Sequence, residues 1–585
     1  MSTQKKQYKL LACAVMALLC PTLFAASITV SNAVDLAQAI SDNVGTFTFI
    51  YLEPGFYDVS AFAQPSYDSS GNPGVSKSNL SLDRVNLRGK TSNPRDTVIY
   101  NSKGDNRIFF TRYGRLEHMT VSNGCANASN GGDGGGCMSI DNQPVEATNV
   151  IVTCCTATGN GGGVYAGKWY DCEIVGNHAD SNGGGACGAT GAQGVKLRHT
   201  RVFGNTCGGN GGGCWFGYVT EGCVISNNTS SVLGGGLYSP VEATDSYIRH
   251  NRVVPISGKA GKGAGVFSGT LTRCLVDGNA IVAGASTSTR YGGGVSDSTC
   301  MECIIVNNFV AYPGTGAGTY AATCTECIIS NNVPCCTADG EWGNGTGVAA
   351  MKGLVNCDLY GMSLDPQCAM LNCRIHGYTN GYYLAKGVNI GTNGCFKGLS
   401  TMCSGLLNAT NCLFTSNRMS ILFSCEKAAQ FSLVNCTVAS NRADSTFAGF
   451  SGSYAVCEIM NTILSANLSA NGSSRRDMYI SSSDDGHFNF SHCLIGTNRK
   501  SDEPQVVETA TVVSDNPRFD SENPVDPFAL ERRSPARNKG LVMGWMTDAT
   551  DIRNTPDVPR MNFGKVDIGC YQCWYDPIGL MLLVR

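Results

Sequence analysis

Hydrophobic and polar positions recur in one short phrase along this chain. A Cys is followed two positions later by an aliphatic or aromatic residue, and three positions after that by Asn, as in Cys172-Glu-Ile174-Val-Gly-Asn177. Self-similarity at intervals of about 20–50 residues is typical of stacked repeats, in which each unit buries its apolar face against its neighbours. The phrase begins at Cys172, Cys223, Cys274, Cys303, Cys327, Cys412, Cys436 and Cys493.

A glycine-rich phrase alternates with the first one. It consists of three glycines or Gly-Ala-Gly followed by a short apolar stretch, and no helical pattern lies between successive runs. Glycine permits positive φ at a bend, and Asn tolerates the left-handed conformation. The two phrases predict an all-β fold, a right-handed parallel β-helix in which equivalent Asn side chains stack into a hydrogen-bonded ladder. The runs end at Gly136, Gly163, Gly185, Gly213, Gly236, Gly265, Gly294 and Gly318.

The first 26 residues are patterned as a secretory signal. Three Lys precede an apolar run at residues 10–19, and the small residues Ala25 and Ala26 offer a cleavage point. The apolar run is too short for an ordinary membrane span. The segment therefore predicts export to a secreted or cell-surface location, with no transmembrane helix in the mature chain. A lipoprotein with Cys20 as its acylated residue is an alternative.

The remaining chain is predicted to form one β-helix and one closing segment. The β-helix spans residues 27–500, and its first part, residues 27–60, is an N-terminal cap. Within this cap, Val34–Ile40 is patterned as a short amphipathic helix that covers the open core, as terminal repeats require. Residues 501–585 carry no repeat and are expected to close the other end irregularly.

Composition narrows the class of function. Charged residues make up 15% of the 585 residues and hydrophobic residues 42%, which suits many short strands and does not suit disorder. The formal net charge is −3, and loss of the basic signal makes the mature chain more acidic. We therefore expect no nucleic-acid partner, while the oligomeric state stays open.

The 30 cysteines divide by their place in the repeat. Those of the recurring phrase would form a core column, because free Cys behaves as a small buried hydrophobe and in-register neighbours are poorly oriented for disulfides. Off-phase cysteines are better disulfide candidates, although pairing cannot be deduced from sequence. These candidates are Cys154, Cys155, Cys335 and Cys336.

Two neighbouring motifs have the spacing of a four-cysteine zinc site. They are Cys300-Met-Glu-Cys303 and Cys324-Thr-Glu-Cys327. The second Cys of each motif belongs to the repeat column, so the motif recurs because the coil recurs. We accordingly predict no metal site.

The paired phrases resemble the repeats of the chlamydial polymorphic membrane proteins. Matching pairs are Gly161–Val164 with Ile174 and Asn177, and Gly292–Val295 with Ile305 and Asn308. The resemblance covers residues 118–335 well and 336–500 loosely, and it implies an adhesin.

The ends of the chain resemble secreted bacterial β-helix proteins of the pectin-lyase-like superfamily. Members of that group range from polysaccharide lyases to adhesins, so the resemblance implies a polysaccharide or cell-surface glycan as partner. Gln572 stands where the group usually has an acidic residue. The matching stretches are 34–57, Asn516–Phe519, Pro527–Leu530, Ser534–Gly540 and Val566–Tyr571.

A charged row directly precedes the Cys column on successive coils. It consists of Asp245, Arg273, Glu302 and Glu326, and strand alternation would point it outward. A lyase of this fold would need a base together with Ca²⁺ or a basic residue that neutralises a uronate. Arg273, Glu302 and Glu326 are therefore the candidate catalytic residues, and Ca²⁺ would be a cofactor only of a lyase. A solvated ladder of ion pairs is the simpler interpretation, so the catalytic residues remain unknown.

An aromatic row follows the glycine runs by two residues. Its preceding neighbours are mostly apolar, so if those point inward, the aromatic rings point outward and could stack on sugars. The alternative is that the rings belong to the core, where aromatic side chains dominate packing. The candidate ligand-binding residues are Tyr165, Trp215, Tyr238, Phe267 and Tyr320, with Cys187 and Ser296 as interruptions.

These patterns favour a non-enzymatic, adhesin-like β-helix protein that binds glycans or cell surfaces. A carbohydrate-active enzyme, most simply a polysaccharide lyase, is the alternative, and a purely structural surface fibre is a third hypothesis. A compact set of basic and acidic residues on adjacent coils would distinguish an enzyme from the other two.

Overall fold

Each repeat folds into one coil, and the strands of successive coils pair in parallel and in register. Val276, Ile305 and Ile329 are register partners on three consecutive coils, and all three are fully buried. Parallel pairing through stacked coils is the arrangement of a parallel β-helix. The predicted right-handed parallel β-helix is thus confirmed.

The computed structural model describes residues 27–573 in two compact units. The first comprises the described residues of 27–230 and 236–242, and the second comprises those of 231–235 and 243–573. The residues that the structure does not describe are 1–26, 68–72, 141–143, 189–193, 335–346, 361–363, 366–369, 372, 377–394, 398–406, 416–417, 420–422, 426–429, 444–449, 453–455, 469–476, 478–486, 498–505, 524–525, 548, 553–558 and 574–585. The predicted signal lies outside the described residues.

The strands of the first unit fall into three sheets. They are called here the long-strand, Gly-side and Asn-side sheets, and each is defined by the strands that follow. The long-strand sheet has Ile28–Val30, Phe49–Leu52, Gly55–Asp58, Asn86–Gly89, Thr97–Tyr100, Arg115–Ser122, Glu146–Thr153, Lys168–Tyr170, Glu173–Val175, Val195–Arg198, Arg201–Phe203, Gly217–Thr220 and Val224–Ser226. The Gly-side sheet has Leu80–Asp83, Phe109–Arg112, Cys137–Ser139, Val164–Tyr165, Ala186–Cys187, Cys214–Trp215 and Leu237–Tyr238. The Asn-side sheet has Cys125–Ala126, Thr156–Ala157, His178–Ala179, Thr206–Cys207 and Thr229–Ser230. A hairpin pairs Gln64–Tyr67 with Pro73–Ser78.

The second unit has strands of the same three kinds. Its strands of the long-strand kind are Glu242–Thr244 (of which Glu242 belongs to the first unit), Tyr247–Arg249, Thr270–Thr272, Leu275–Asp277, Thr299–Met301, Ile304–Val306, Thr323–Thr325, Ile328–Ser330, Gly353–Val355, Asp358–Tyr360, Met370–Leu371, Arg374–His376, Cys395–Lys397, Leu413–Thr415, Thr437–Ala439, Ile463–Ser465, Leu494–Ile495 and Val512–Val513. Its Gly-side strands are Val266–Phe267, Val295–Ser296, Thr319–Tyr320, Val348–Ala349 and Leu364–Asp365. Its Asn-side strands are Arg252–Val253, Ala280–Ile281, Phe309–Val310 and Val333–Pro334. Other parallel strands are Arg290–Tyr291, Gly314–Thr315, Leu407–Thr410, Arg418–Met419, Phe423–Cys425, Gln430–Val434, Arg442–Ala443, Phe450–Gly452, Val456–Met460, His487–Ser491 and Val506–Thr509.

The Cys column lies in the core, as predicted. Its eight members are free thiols, each at most 2% exposed. Burial raises the pKa of Cys172 and Cys493 to about 12, so these two thiols stay protonated and inert. Of the off-phase disulfide candidates, Cys154 and Cys155 are free thiols, while Cys335 and Cys336 lie outside the described residues.

Stacked Asn side chains form the predicted ladder within each unit. In the second unit, Asn279 donates its backbone N–H (2.9 Å) and its side-chain Nδ2 (3.0 Å) to Oδ1 of Asn308 on the next coil. Asn308 donates in the same way to Asn332. The same pattern links Asn177 and Asn205 in the first unit. The ladder thereby gives hydrogen-bond partners to buried backbone N–H groups and side-chain amides at a bend where no strand pairing is available.

The third glycine of each run packs against this ladder. A Cβ on Gly294 would lie 2.8 Å from Nδ2 of Asn308, and one on Gly163 would lie 2.9 Å from Nδ2 of Asn177. Real Cβ atoms do not come this close, so the position requires glycine. The two phrases of the repeat therefore occur together because they touch inside the same coil.

We expect Gly162→Ala to destabilise the first unit by about 1–3 kcal/mol through overpacking. Its Cβ would lie 2.3 Å from the carbonyl oxygen of His178 and 2.4 Å from that of Gly184. The equivalent positions of other coils hold Ala264 and Ala317, both buried, so the backbone can adjust and the fold should survive. Thermal melting measures the loss. Gly544→Ala, whose Cβ would meet nothing within 4 Å, is the control, and equal melting of the two variants would contradict the prediction.

The ends of the described chain differ from the coils. An α-helix, Ala33–Asp42, follows Asn32, whose side chain caps it by accepting from the Asp35 N–H at 2.9 Å. The helix buries Leu36 and Ile40, as predicted for an amphipathic cap. The 3₁₀-helices are Ala128–Asn130 and Gly544–Thr547. Among the described residues, the α-helix is too short and too polar to span a bilayer, and no other helix could do so.

The closing segment is organised by a buried arginine. Arg560 is fully buried and donates to the carbonyl oxygen of Asp567 at 2.9 Å and to Oε1 of Gln572 at 3.3 Å. The segment also contacts the coils, because the Cys570 N–H donates to Oγ1 of Thr437 at 3.1 Å. Gln572 therefore serves as a hydrogen-bond acceptor for this buried arginine.

Candidate ligand-binding face

The aromatic row of the first unit points outward and is half-buried. Its preceding neighbours, Cys214 and Leu237, are at most 1% exposed, so strand alternation places the next side chains on the outer surface. Trp215 and Tyr238 are register partners, and their rings stack with centroids 6.4 Å apart at 28°. Outward aromatic residues thus form a pair here, and they do not belong to the inner core.

The predicted row is interrupted where the sequence indicated. Tyr165 pairs in register with Cys187, which pairs with Trp215. Because Cys187 is fully buried, Tyr165 is separated from the stacked pair. In the second unit, Phe267 pairs with Ser296, which pairs with Tyr320.

A compact aromatic patch of the second unit is formed by Lys262, Phe267, Tyr291 and Tyr320. The rings of Tyr291 and Tyr320 lie 4.5 Å apart between centroids, at an angle of 42°. The Lys262 ammonium lies 5.4 Å from the centroid of Tyr291 and 5.9 Å from that of Phe267. Both distances fall within the range of cation–π attraction. All four side chains are half-buried, which leaves ring surface for a ligand.

Two members of the patch, Lys262 and Tyr291, were not predicted from the sequence. Each directly precedes a glycine run, and the two residues bridge in parallel on neighbouring coils. Counting one position back from each run would have found them. The apolar strands follow the runs, so the residues before a run have no regular alternation that would place them.

Polar groups surround the patch. Asp297 accepts a hydrogen bond from Oγ of Ser296 at 2.9 Å and lies 3.9 Å from the Lys352 ammonium. Burial, together with the nearby Tyr291 and Asp297, raises the pKa of Tyr320. The Tyr320 hydroxyl therefore remains a hydrogen-bond donor well into alkaline pH.

The charged row faces solvent, for a reason other than strand alternation. Arg273, Glu302 and Glu326 have φ of 51°, 53° and 56°, so each lies at a left-handed bend between two short strands. Each is exposed. The bend turns the following Cys inward and leaves the charged side chain outside.

Arg273 is engaged by a carboxylate of its own protein. Its Nε and Nη2 donate to the two carboxylate oxygens of Asp245 at 2.7 and 2.8 Å. These hydrogen bonds hold the pKa of Asp245 below its usual value. The pair is an exposed ion pair, as the simpler interpretation of the charged row predicted.

Within the described ranges, no group of three or more His, Cys, Asp or Glu side chains is arranged to hold a metal ion. The loop at residues 131–136 contains one Asp among five glycines. The carbonyl oxygens of Asn130 and Asp133, which could face a cation, instead accept hydrogen bonds from the buried Arg107 guanidinium.

No protein-family model matches this chain. No curated protein matches it in sequence either.

Several solved structures match parts of the fold at low similarity. The catalytic unit of a GH87 alpha-1,3-glucanase from Streptomyces thermodiastaticus strain HF3-3 is 12% identical, with 79% of this chain and 68% of that chain covered and a TM-score of 0.17. The A-module of the mannuronan C-5 epimerase AlgE6 from Azotobacter vinelandii is 12% identical, with 82% and 93% covered and a TM-score of 0.18. The tailspike protein gp49 of Acinetobacter baumannii bacteriophage Fri1, a capsular polysaccharide depolymerase, is 10% identical, with 84% and 63% covered and a TM-score of 0.13. At this level of similarity, the function has to be inferred from the chain's own residues.

Proposed function

We propose that this protein is a secreted or surface-attached, non-enzymatic β-helix that binds glycans through its outward aromatic residues. The observation that carries the proposal is the Tyr291–Tyr320 ring pair with the Lys262 ammonium beside it. A sugar ring has an apolar face of C–H groups and a rim of hydroxyls. Half-buried tyrosines offer the matching combination, a flat apolar surface with a polar tip.

The patch is suited to binding because it is already ordered. Tyr has only two side-chain torsions, so holding it against a ligand costs little conformational entropy. The rings are further held by each other and by Lys262. Asp297 is close enough to help raise the pKa of the Tyr320 hydroxyl, so an acceptor and a donor are available for sugar hydroxyls.

We expect Tyr291→Ala and Tyr320→Ala each to weaken glycan binding at least about tenfold, because buried aromatic anchors carry most of the energy of an interface. A glycan array of bacterial, plant and animal polysaccharide fragments identifies the ligand, and calorimetric titration then measures Kd for each variant.

Tyr247→Ala is the matched control for this test. Tyr247 also lies in the second unit and is 48% exposed, but it sits on a long strand. Its loss should leave Kd unchanged. Equal weakening in all three variants, or no binding to any glycan by the intact protein, would contradict the proposed function.

The alternative of a polysaccharide lyase needs a free cation near a base. Arg273 already donates to both carboxylate oxygens of Asp245, so its charge is neutralised before any uronate arrives. We expect no unsaturated product, measured by ultraviolet absorbance, when the protein is incubated with uronate polysaccharides and Ca²⁺. Product that disappears in Glu302→Gln or Glu326→Gln would instead establish the lyase.

A further inference from the structure

Three side chains stack on the outer surface of the first unit. Phe47, Arg84 and Tyr113 each lie two residues before a long strand, and these strands pair in register on consecutive coils. The three residues therefore occupy equivalent positions, about 4.8 Å from one coil to the next. The Arg84 guanidinium lies 5.7 Å from the centroid of the Phe47 ring and 5.5 Å from that of Tyr113, within the range of cation–π attraction. These three residues are called here the arginine stack.

The fold itself does not require bulky residues at these positions. All three have left-handed φ, of 52°, 59° and 55°, which is unfavourable for large side chains. On later coils of the same unit, the equivalent position holds Ala166 and Gly194. Because a small residue satisfies the bend, the two rings and the guanidinium indicate a role other than packing of the core.

Arg84 differs from the other arginines of the first unit in its partners. Six of those arginines pair with a carboxylate, and Arg107 donates to backbone carbonyl oxygens. Among the described residues, the Arg84 side chain has neither an ion pair nor a hydrogen bond, and its recorded contacts are the two rings. Its N–H donors are therefore available to a ligand. The six paired arginines are Arg88, Arg95, Arg112, Arg115, Arg198 and Arg201.

The arginine stack is accessible from solvent. Phe47 is 54% exposed and Tyr113 is 40% exposed, while Arg84 between them is half-buried. The adjacent Asp83 does not neutralise Arg84, because its carboxylate is buried and binds Arg112 at 3.1 Å. The rings hold the guanidinium in place, so less side-chain entropy is lost when it binds a ligand. They also shield part of it from water, which strengthens its attraction to an anion.

The chemistry of the ligand follows from the shape of the three side chains. A planar guanidinium donates to two oxygens of one anionic group at the same time. The rings on either side offer apolar surface to the C–H groups of the sugar units that flank a charged unit. The rise of about 4.8 Å from coil to coil is comparable to the length of one sugar unit in an extended polysaccharide. Consecutive sugar units can therefore lie along consecutive members of the stack.

We propose that the arginine stack is a binding site for acidic glycans. Arg84 binds a carboxylate or sulfate group of one sugar unit, and Phe47 and Tyr113 contact the units next to it. The stack lies in the first unit of the protein and the aromatic patch in the second, so either site can fail without the other. A nucleic-acid ligand is disfavoured, because it requires several cations along its phosphate backbone and the formal net charge of this chain is −3.

Calorimetric titration of the intact protein with defined oligosaccharides tests the proposal. The probes are trigalacturonate, which carries carboxylates, a sulfated tetrasaccharide from carrageenan, and neutral maltotriose. We expect at least one acidic probe to bind about tenfold or more tightly than maltotriose, because hydrogen bonds to charged groups are the stronger ones. Binding of a single acidic probe supports the proposal and identifies the anionic group. Binding of neither, or equally tight binding of maltotriose, would overturn it.

Arg84→Gln should weaken the binding of the acidic probe about tenfold or more. Arg95→Gln is the matched control, because it removes the same charge from the same unit. Arg95 is exposed and already paired with Glu173 at 3.3 Å, so its loss should change Kd by less than about twofold. Equal weakening in the two variants would mean that net charge alone attracts the probe, and the proposal would be wrong.

Tyr113→Asn tests the contribution of the rings. Asn tolerates the left-handed conformation, so this variant keeps the bend and loses the aromatic surface. We expect Kd for the acidic probe to rise about threefold or more. An unchanged Kd would exclude the ring from the site and overturn the proposal. Circular dichroism confirms that both stack variants have folded, and the preference of the unsubstituted protein for acidic probes stands without them.

Salt dependence and two competing ligand positions complete the test. Raising NaCl from about 0.1 M to about 1 M shortens the Debye length from about 10 Å to about 3 Å, so Kd for the acidic probe should rise in the parent protein and change less in Arg84→Gln. Loss of acidic binding in Tyr291→Ala but not in Arg84→Gln would assign the ligand to the aromatic patch, which overturns this inference and leaves the proposed function intact. Phosphatidylglycerol vesicles that require Arg84 for binding, with no acidic oligosaccharide bound, would assign the stack to a lipid surface and overturn the inference as well.

Discussion

Replacing Asn308 with Ala is expected to destabilise its coils by about 3 kcal/mol or more. The change removes the acceptor of two donors on Asn279, its backbone N–H and its Nδ2. It also removes a donor to the carbonyl oxygen of Val276 at 3.0 Å. Each buried polar group left unpaired costs about 1–3 kcal/mol, and the Ala side chain leaves a cavity beside Gly294. The midpoint of urea unfolding measures the loss.

The adjacent Asn307 provides the control. It is exposed and has φ of 56°, so Asn307→Gly keeps the backbone conformation and removes only two surface hydrogen bonds, one donated to Asp277 and one accepted from Asn331. We expect a change within about 0.5 kcal/mol. Repeat arrays can unfold in parts, so hydrogen exchange of the strands near residues 276 and 305 should accelerate in the Ala variant only. Similar midpoints and exchange rates for the two variants would show that the ladder does not stabilise the coil.

Arg560→Met is expected to destabilise the closing segment by about 3–5 kcal/mol, the cost of leaving a buried charge without its partner. Asp567 accepts from the backbone N–H groups of Asn538 and Cys573, both at 2.7 Å. Burial raises its pKa even with Arg560 nearby to offset the effect. Without the Arg560 guanidinium, the Asp567 carboxylate loses the larger of the two cationic influences, from Arg560 and Arg537, that lower its pKa.

The loss in Arg560→Met should depend on pH. A carboxyl group whose folded pKa lies above its unfolded value contributes stability at low pH that disappears as pH rises through the folded pKa. Removing Arg560 raises the folded pKa of Asp567 further, so the variant should be closest to the parent protein in acid and furthest from it at neutral pH. Urea unfolding at both pH values measures this, with the exposed Arg532→Met as control. A loss independent of pH would mean that packing alone explains the effect of Arg560.

The repeat predicted much of the fold because stacking forces equivalent residues together. Cys303 and Asn308 recur at fixed phase, so their burial and their ladder could be inferred before any coordinates. The contact between Gly294 and Asn308 could not be inferred from the sequence, because it joins two phrases that are 14 positions apart. The acceptor at Asp477, which takes the place of a next Asn beyond Asn467, could not be inferred either, since it lies outside the repeat.

The candidate site was predictable only in part. Phe267 and Tyr320 could be assigned to the outer face because their neighbours follow the glycine runs in regular alternation. Tyr291 and Lys262 carry a weaker signal, their position directly before a glycine run, because no periodicity extends across the bend that separates them from the apolar strands. Arg273 illustrates the opposite case: its outward direction was expected, but the left-handed bend that causes it leaves no pattern in residue type.

Carbene footprinting with and without the glycan identified on the array tests the central claim most directly, because it reports where the ligand lies on the intact protein. We predict protection of Tyr291, Tyr320 and Lys262 by the glycan, with Tyr247 labelled equally in both states. Binding accompanied by protection only outside the aromatic patch would contradict the account.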